Sequence, residues 1–183
     1  MRLGEGLVHR ICSRKYGYKE PAFRASGKYR FDDPTQTFGT LYCARDFGTC
    51  FMETLLRGPG SLNVARSDYD ARAVALLLLD AKQLNLVDMF SSAALAQMAL
   101  DLSIVAGGSY VDTQRLATLV HQHRSQSHGI VYRSRFDPDQ PAIVLFERAV
   151  RYVRLYPGCK ALPLAKVAEL SDGVRSKVPF KFI

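Results

Sequence analysis

"GIVYRSRFDPDQPAIVLFER", residues 129–148, holds two short apolar runs separated by a segment rich in proline and aspartate. Runs of this kind, 129–135 and 142–148 with "DPDQP" between them, read as an antiparallel hairpin. The rest of the chain mixes strand and helix patterns without strict alternation. Together these features predict an α+β fold, a single compact domain, rather than a doubly wound parallel sheet. The first strand also poses a chemical question. Successive strand side chains face opposite ways, so Ile130, Tyr132, Ser134 and Phe136 share one face, and Val131, Arg133 and Arg135 the other. Ser134 therefore brings a hydroxyl to the side that its neighbours mark as buried. The plain reading is that it hydrogen-bonds a nearby backbone group at the strand end.

Towards the N-terminus, "LVHRICS" (7–13) reads as a first short strand, and 14–39 is loop-like, punctuated by Pro21, Gly27, "DDP" at 32–34 and Gly39. A connection of that length is often functional. "TLYCA" (40–44) reads as a strand. A helix is expected over about 48–57, with Phe51, Met52, Leu55 and Leu56 as its apolar stripe. "AVALLLLD" (73–80) is continuously apolar and short, which suits a buried strand. Helices are expected over 91–100, capped by Ser91 or Ser92, and over 112–124, capped by Asp112. A strand near 150–156 and a weakly patterned basic tail complete the chain, with no repeat, low-complexity tract or linker to mark a boundary.

At 183 residues, 48% of them hydrophobic and 23% charged, the chain is long enough to bury a core without metals or cross-links. The longest apolar run, 73–79, is too short to span a bilayer, and the first ten residues lack the apolar centre of a signal peptide, so a cytoplasmic protein with no membrane association is expected. Cys12, Cys43, Cys50 and Cys159 show no Cys-x-x-Cys pair and no zinc-ligand spacing. They read as reduced thiols, with Cys43 and Cys50 as packing residues. His9, His121, His123 and His128 form no metal constellation by spacing.

Net charge is +8, from 25 basic and 17 acidic residues. Residues 1–60 hold 10 basic and 6 acidic groups, 61–120 hold 4 and 6, and 121–183 hold 11 and 5. Basic ends suit a polyanion, a phosphate-bearing small molecule or an acidic protein; a solvated surface is the plain alternative. A nucleic-acid module is disfavoured, because no basic stripe interleaves with aromatics and helix 112–124 is not strongly cationic. The absence of G-x-S-x-G, G-x-x-x-x-G-K-[ST], G-x-G-x-x-G and H-E-x-x-H removes the commonest hydrolase, P-loop and dinucleotide-fold readings.

Pattern alone gives the remaining candidates ordinary roles. Glu53 would form a solvated pair with Arg57 at i+4, and Tyr42 would be an amphipathic strand residue. Arg30 would be a surface cation. Arg10, inside the apolar "VHRIC", is harder to place that way, because charges seldom enter buried strands. Paired arginines also offer planar, bidentate donors suited to a pyrophosphate.

Several segments, taken in order, resemble the RES domain family, the toxin half of bacterial Xre–RES toxin–antitoxin pairs: "VHRI", "YRFDDP…FGTLYCARDFGTCFMETLLR" and "YVDTQRLATLVHQHRSQSHGIVYRSR…AIVLFE". They fall in about 7–148 of a single domain spanning 1–183, with 149–183 as a basic extension. The resemblance implies a mixed sheet with flanking helices related to ADP-ribosyltransferases, and an activity that destroys NAD. It assigns family positions to Arg10, Arg30, Tyr42, Glu53 and Ser134. Tyr29 stands where the family usually has glycine, and the two aspartates replace its common tryptophan–asparagine.

On that basis Arg30, Tyr42, Glu53 and Ser134 are the expected catalytic residues. Arg10 and Arg30 would grip the pyrophosphate, and Tyr42 would stack on nicotinamide or ribose. Glu53 would meet the charge developing on the sugar, and Ser134 would bond the ribose or Glu53 itself. No metal or cofactor is expected: NAD is a substrate, with inorganic phosphate, water or a protein side chain as acceptor. The expected partner is an Xre-type DNA-binding antitoxin, with no direct nucleic-acid binding. A non-catalytic basic module and an inactive scaffold that only binds NAD are the rivals.

Overall fold

A computed structural model describes residues 6–15, 20–56, 62–101, 103–104 and 109–183. Its centre is the hairpin. β6 (Gly129–Arg133) and β7 (Pro141–Phe146) pair antiparallel, with Gly129 opposite Leu145 and Arg133 opposite Pro141. A Cβ at Gly129 would lie 2.2 Å from the Val144 carbonyl oxygen, so only glycine allows the two strands this approach.

Around the hairpin lie β1 (Leu7–Ser13), β2 (Thr40–Ala44), β4 (Arg72–Leu79), β5 (Leu86–Met89), β8 (Val153–Leu155) and β9 (Leu162–Pro163). The eight-stranded sheet runs β5–β6–β7–β2–β1–β4–β8, with β9 also on β4. β5 and β6 are parallel, and the other pairs of this sheet antiparallel. A second, parallel sheet joins β3 (Asn63–Val64) to β10 (Lys181–Phe182). This is the expected α+β arrangement, with one long mixed sheet and flanking helices.

Alternation in β7 sorts the core. Ile143 and Leu145 enter a cluster with Val8, Leu41, Leu77 and Val131 on one sheet face. Ala142, Val144 and Phe146 enter another with Phe31, Ile130 and Tyr132. A third cluster lies over the β1 and β4 end. There α1 (Phe47–Leu55) buries Phe51, Met52 and Leu55 with Val74, Leu164 and Phe180. The Asp46 side chain caps α1 by accepting from the Thr49 N–H at 2.8 Å. α1 begins one residue before the expected span and its C-cap is Leu56, so the proposed Glu53–Arg57 pair lies outside the described residues.

Some boundaries differ from expectation for local reasons. α3 (Ser92–Gln97) is shorter than 91–100, and Ser91 is its cap. α4 (Tyr110–His123) starts two residues before Asp112, because Ser109 accepts from the Val111 N–H and Asp112 falls within the first turn. The strand expected to run to 148 ends at Phe146, where a 3-10 helix (Glu147–Tyr152) takes over before β8. The tail is structured: a 3-10 turn (Leu164–Val167) leads into α5 (Ala168–Lys177), which buries Ser171 and Val174, and then β10. β3, β5 and α2 (Arg66–Asp70) were also not anticipated. Among the described residues no helix is long and apolar enough to cross a membrane.

Among its described residues the segment between β1 and β2 carries almost no regular structure, and two buried aspartates organise it. Asp33 accepts from the N–H and hydroxyl of both Thr35 and Thr37. Burial alone would raise its carboxyl, but these four donors outweigh that and hold it down at about 2, against an ordinary 3.8. A depressed pKa contributes stability that is present above the unfolded value and lost as pH falls towards the folded one. Wild type should therefore exceed Asp33→Asn by about 1–2 kcal/mol at pH 6. In urea melts the gap should narrow between pH 4 and pH 2; a gap independent of pH would remove the charge from this account.

Candidate active site

β1 and β2 pair only at His9 opposite Ala44. Beyond that point each strand keeps its outer partner, β4 or β7, and the two part. Arg10, Cys12, Thr40, Tyr42 and Cys43 line the gap, which opens into a cleft of about 950 Å³. It also lies between the two core clusters sharing one face: Ile11, Ala44 and Cys50 bound it from one, Tyr132 and Ala142 from the other. Its size is at the upper end for a small-molecule site.

Arg30 sits deep in this cleft, only 5% exposed. Its guanidinium packs 5.3 Å from the Phe31 ring centre and 5.4 Å from that of Tyr132. None of Nε, Nη1 and Nη2 has a hydrogen-bond partner among the described residues. Burial lowers its pKa, while the Tyr132 phenol oxygen and Glu53 pull the other way and Arg135 adds to the lowering. An unpaired buried cation costs free energy unless something completes it, and a planar set of donors turned into a cleft suits a bidentate oxyanion.

The Arg30 backbone is held from below. Asp32, 1% exposed, accepts at Oδ1 from Thr40 Oγ1 (2.6 Å) and the Tyr42 hydroxyl (3.0 Å). At Oδ2 it accepts from Ser26 Oγ and from the N–H groups of Lys28 and Tyr29, both at 3.2 Å. The Tyr42 hydroxyl in turn accepts from the Phe31 N–H at 2.9 Å. Burial, with Asp32 alongside, pushes the Tyr42 phenol well above its ordinary pKa, so it stays a donor. Its hydroxyl is thus committed to the loop, and only its ring, edge-on to Tyr29 at 5.9 Å, is left for the stacking role expected of it.

Glu53 projects from α1 into the same cleft. Its Oε1 accepts from Ser134 Oγ at 2.8 Å and from the Arg135 N–H at 3.1 Å, while Oε2 carries no hydrogen bond among the described residues. Ser134 is itself fixed, accepting from the Phe136 and Asp137 N–H groups at 3.2 and 3.1 Å. This explains the inward serine. It lies 1% exposed behind Glu53 rather than on the cleft wall, so of its two expected roles the structure shows contact with Glu53.

Arg10 lines the cleft floor. Its Nη2 donates to the Ala22 carbonyl at 2.8 Å, and its buried Nη1 has no partner among the described residues. Burial lowers its pKa. Neighbouring Cys43 and Cys50 are buried thiols whose pKa is pushed up, that of Cys50 to about 12, as packing residues rather than nucleophiles. All four cysteines are free.

The structure therefore gathers Arg10, Arg30, Tyr42 and Glu53 on one cleft, with Ser134 behind Glu53. It adds Arg135, which the alternation rule had placed on the opposite face from Ser134. β6 ends at Arg133, and the following turn swings Arg135 into the cleft, its guanidinium 5.6 Å from the Tyr110 ring centre. Arg24, Lys28 and Arg72 join it on the wall, making the lining strongly cationic against Glu53 and Asp68. No local pattern marked Arg135, because its position depends on where the strand stops.

Residues 7–163 match the RES domain family. The chain belongs to that family. The match extends past β8 to β9, beyond the motif-bearing 7–148. No curated protein matches the chain. A chain in the crystal structure of the M. tuberculosis MbcT–MbcA toxin–antitoxin complex shares the fold of this RES domain, with a TM-score of 0.67 and 16% identity, over 91% of this chain and 88% of that one.

Proposed function

We propose that this RES domain is the toxin of a toxin–antitoxin pair and acts by breaking the bond between nicotinamide and ribose in NAD. The observation that carries this reading is the buried Arg30 guanidinium, without a hydrogen-bond partner among the described residues, in the same cleft as a Glu53 carboxylate that has one oxygen unbonded among them. A dinucleotide answers both. Its pyrophosphate takes the donors of Arg30 and Arg10, and the nicotinamide-bearing ribose is turned towards Glu53.

As the C1′–N bond breaks, its electron pair leaves with nicotinamide, which departs as a neutral base. The sugar becomes oxocarbenium-like, and the Glu53 carboxylate stabilises that charge. Ser134 and the Arg135 N–H hold Oε1 and leave Oε2 towards the sugar. Water, or an oxygen of inorganic phosphate, then bonds to C1′; water releases its proton to solvent. The product is ADP-ribose or its phosphorylated form, and NAD is consumed. A neutraliser that reaches the cleft would present an acidic segment to the arginines, and an Xre-type DNA-binding antitoxin is the proposed partner.

The test incubates purified protein with NAD, with and without phosphate, and follows nicotinamide release. Release that depends on phosphate identifies phosphorolysis, and release without it hydrolysis. Label carried onto protein would identify ADP-ribosyl transfer, and no release under either condition would sink the proposal. Ser134→Ala is expected to lower kcat about 10- to 100-fold by loosening Glu53. Its KM should stay within about three-fold, since Ser134 does not line the cleft. A KM effect alone would instead put Ser134 on the substrate.

A further inference from the structure

We propose that Asp32 is a positioning residue that sets the Arg30 guanidinium as the cleft's anion receptor; this rests on the reading of Arg30 as the pyrophosphate-binding arm. Arg30 makes no hydrogen bond of its own among the described residues, so its direction comes from its backbone and the two rings beneath it. The carboxylate two residues on supplies the backbone constraint. Its Oδ2 gathers Ser26, Lys28 and Tyr29 on the N-terminal side of Arg30. Its Oδ1 ties that turn to β2 through Thr40 and Tyr42, and Tyr42 closes the circuit on the Phe31 N–H.

Two further features show that the turn is built around this hub. Gly27 has φ +66°, a left-handed conformation, and a Cβ there would meet the Asp33 and Pro34 carbonyl oxygens at 3.3 and 3.4 Å. From α4, Gln114 Nε2 donates to the Gly27 and Tyr29 carbonyls at 3.1 and 2.9 Å, clamping the outer side of the turn. Arg30 thus leaves a backbone fixed on both sides of it, with its donors ready before a ligand arrives.

The chemistry at the hub predicts how substitutions differ. Lys28 and Tyr29 offer N–H groups that can only donate, so Oδ2 must remain an acceptor. Oδ1 faces hydroxyls, which can also accept. Asparagine therefore fits with its oxygen on the two N–H groups and its amide towards Thr40 and Tyr42, whereas alanine leaves all five donors without Asp32.

The experiment measures binding of inorganic pyrophosphate by calorimetry to wild type, Asp32→Ala, Asp32→Asn, Arg30→Ala and the Arg30→Ala/Asp32→Ala double variant. Asp32→Ala should weaken binding about ten-fold or more, and Asp32→Asn about three-fold at most. In the Arg30→Ala background Asp32→Ala should cost nothing further, because Asp32 acts through Arg30. Ser26→Ala removes one part-buried donor to Asp32 at the cleft edge and keeps the test open if Asp32→Ala fails to fold; it should weaken binding about two- to five-fold and leave the protein folded. Wild-type-like binding by Asp32→Ala or Ser26→Ala, equal damage from asparagine and alanine, additive losses in the double variant, or no binding by wild type would each overturn the assignment. Failure of the NAD reading looks different: no nicotinamide release by wild type, with the pyrophosphate series as expected.

Discussion

Glu53→Gln should release nicotinamide from NAD at least about a thousand-fold more slowly than wild type, a loss of about 4 kcal/mol of transition-state stabilisation. Glutamine keeps the length of the side chain and can still accept from Ser134 and the Arg135 N–H through its oxygen. What it loses is the negative charge facing the developing cation. KM and Tm should therefore change little, and the loss should appear in kcat. A glutamine variant within ten-fold of wild type would show that the carboxylate does not meet positive charge on the sugar.

Arg30→Met is expected to move activity and stability in opposite directions. Arginine here is buried, with no hydrogen bond for any of its three nitrogens among the described residues. The faces of Phe31 and Tyr132 offset only part of that desolvation cost. Methionine fills similar volume against the same rings without charge. Relief of about 1–2 kcal/mol should raise Tm by about 2–8 °C in a chain of this size. Turnover of NAD should fall below detection, and ligand-induced stabilisation seen with wild type should vanish. The same substitution should let the chain be expressed alone without halting growth or lowering cellular NAD. A lower Tm would show that Arg30 belongs to the fold rather than to a ligand.

The parts of the structure legible in the sequence are those set by local pattern. The hairpin, the continuous apolar strand read at 73–80 and found at Arg72–Leu79, and the stripe of α1 each follow from spacing and composition over fewer than about ten residues. The body of α4 was legible too, but its start was not: the reading took Asp112 as the cap, whereas Ser109 caps the helix and Asp112 falls in its first turn. β5 escaped because four residues are too few to show a period, although Leu86 and Met89 are buried, and the last helix because little in it is apolar and buried. β5 is a four-residue parallel edge strand, and α5 buries only Ser171 and Val174. The parting of β1 from β2 depends on register between strands far apart in the chain, which no local window contains. The same holds for the site. By pattern Glu53 was half of a solvated ion pair and Ser134 a strand-end hydroxyl; only the joint order of motifs in the family resemblance placed them together. The hub at Asp32 was hidden for another reason: two aspartates before a proline read as turn chemistry, and nothing in that reading shows five donors closing on one carboxylate.

β7 lies between β6 and β2, so the strand that unites the two halves of the sheet comes later in the chain than both of its neighbours. Ser134 and Glu53 stand 81 positions apart, and a nascent chain shorter than about 140 residues has the carboxylate and the arginines but not the strand that brings them to the serine. Synthesis from the N-terminus thus supplies the carboxylate before the serine that holds it, and the cleft takes its full set of walls only once β7 has joined β2 to β6.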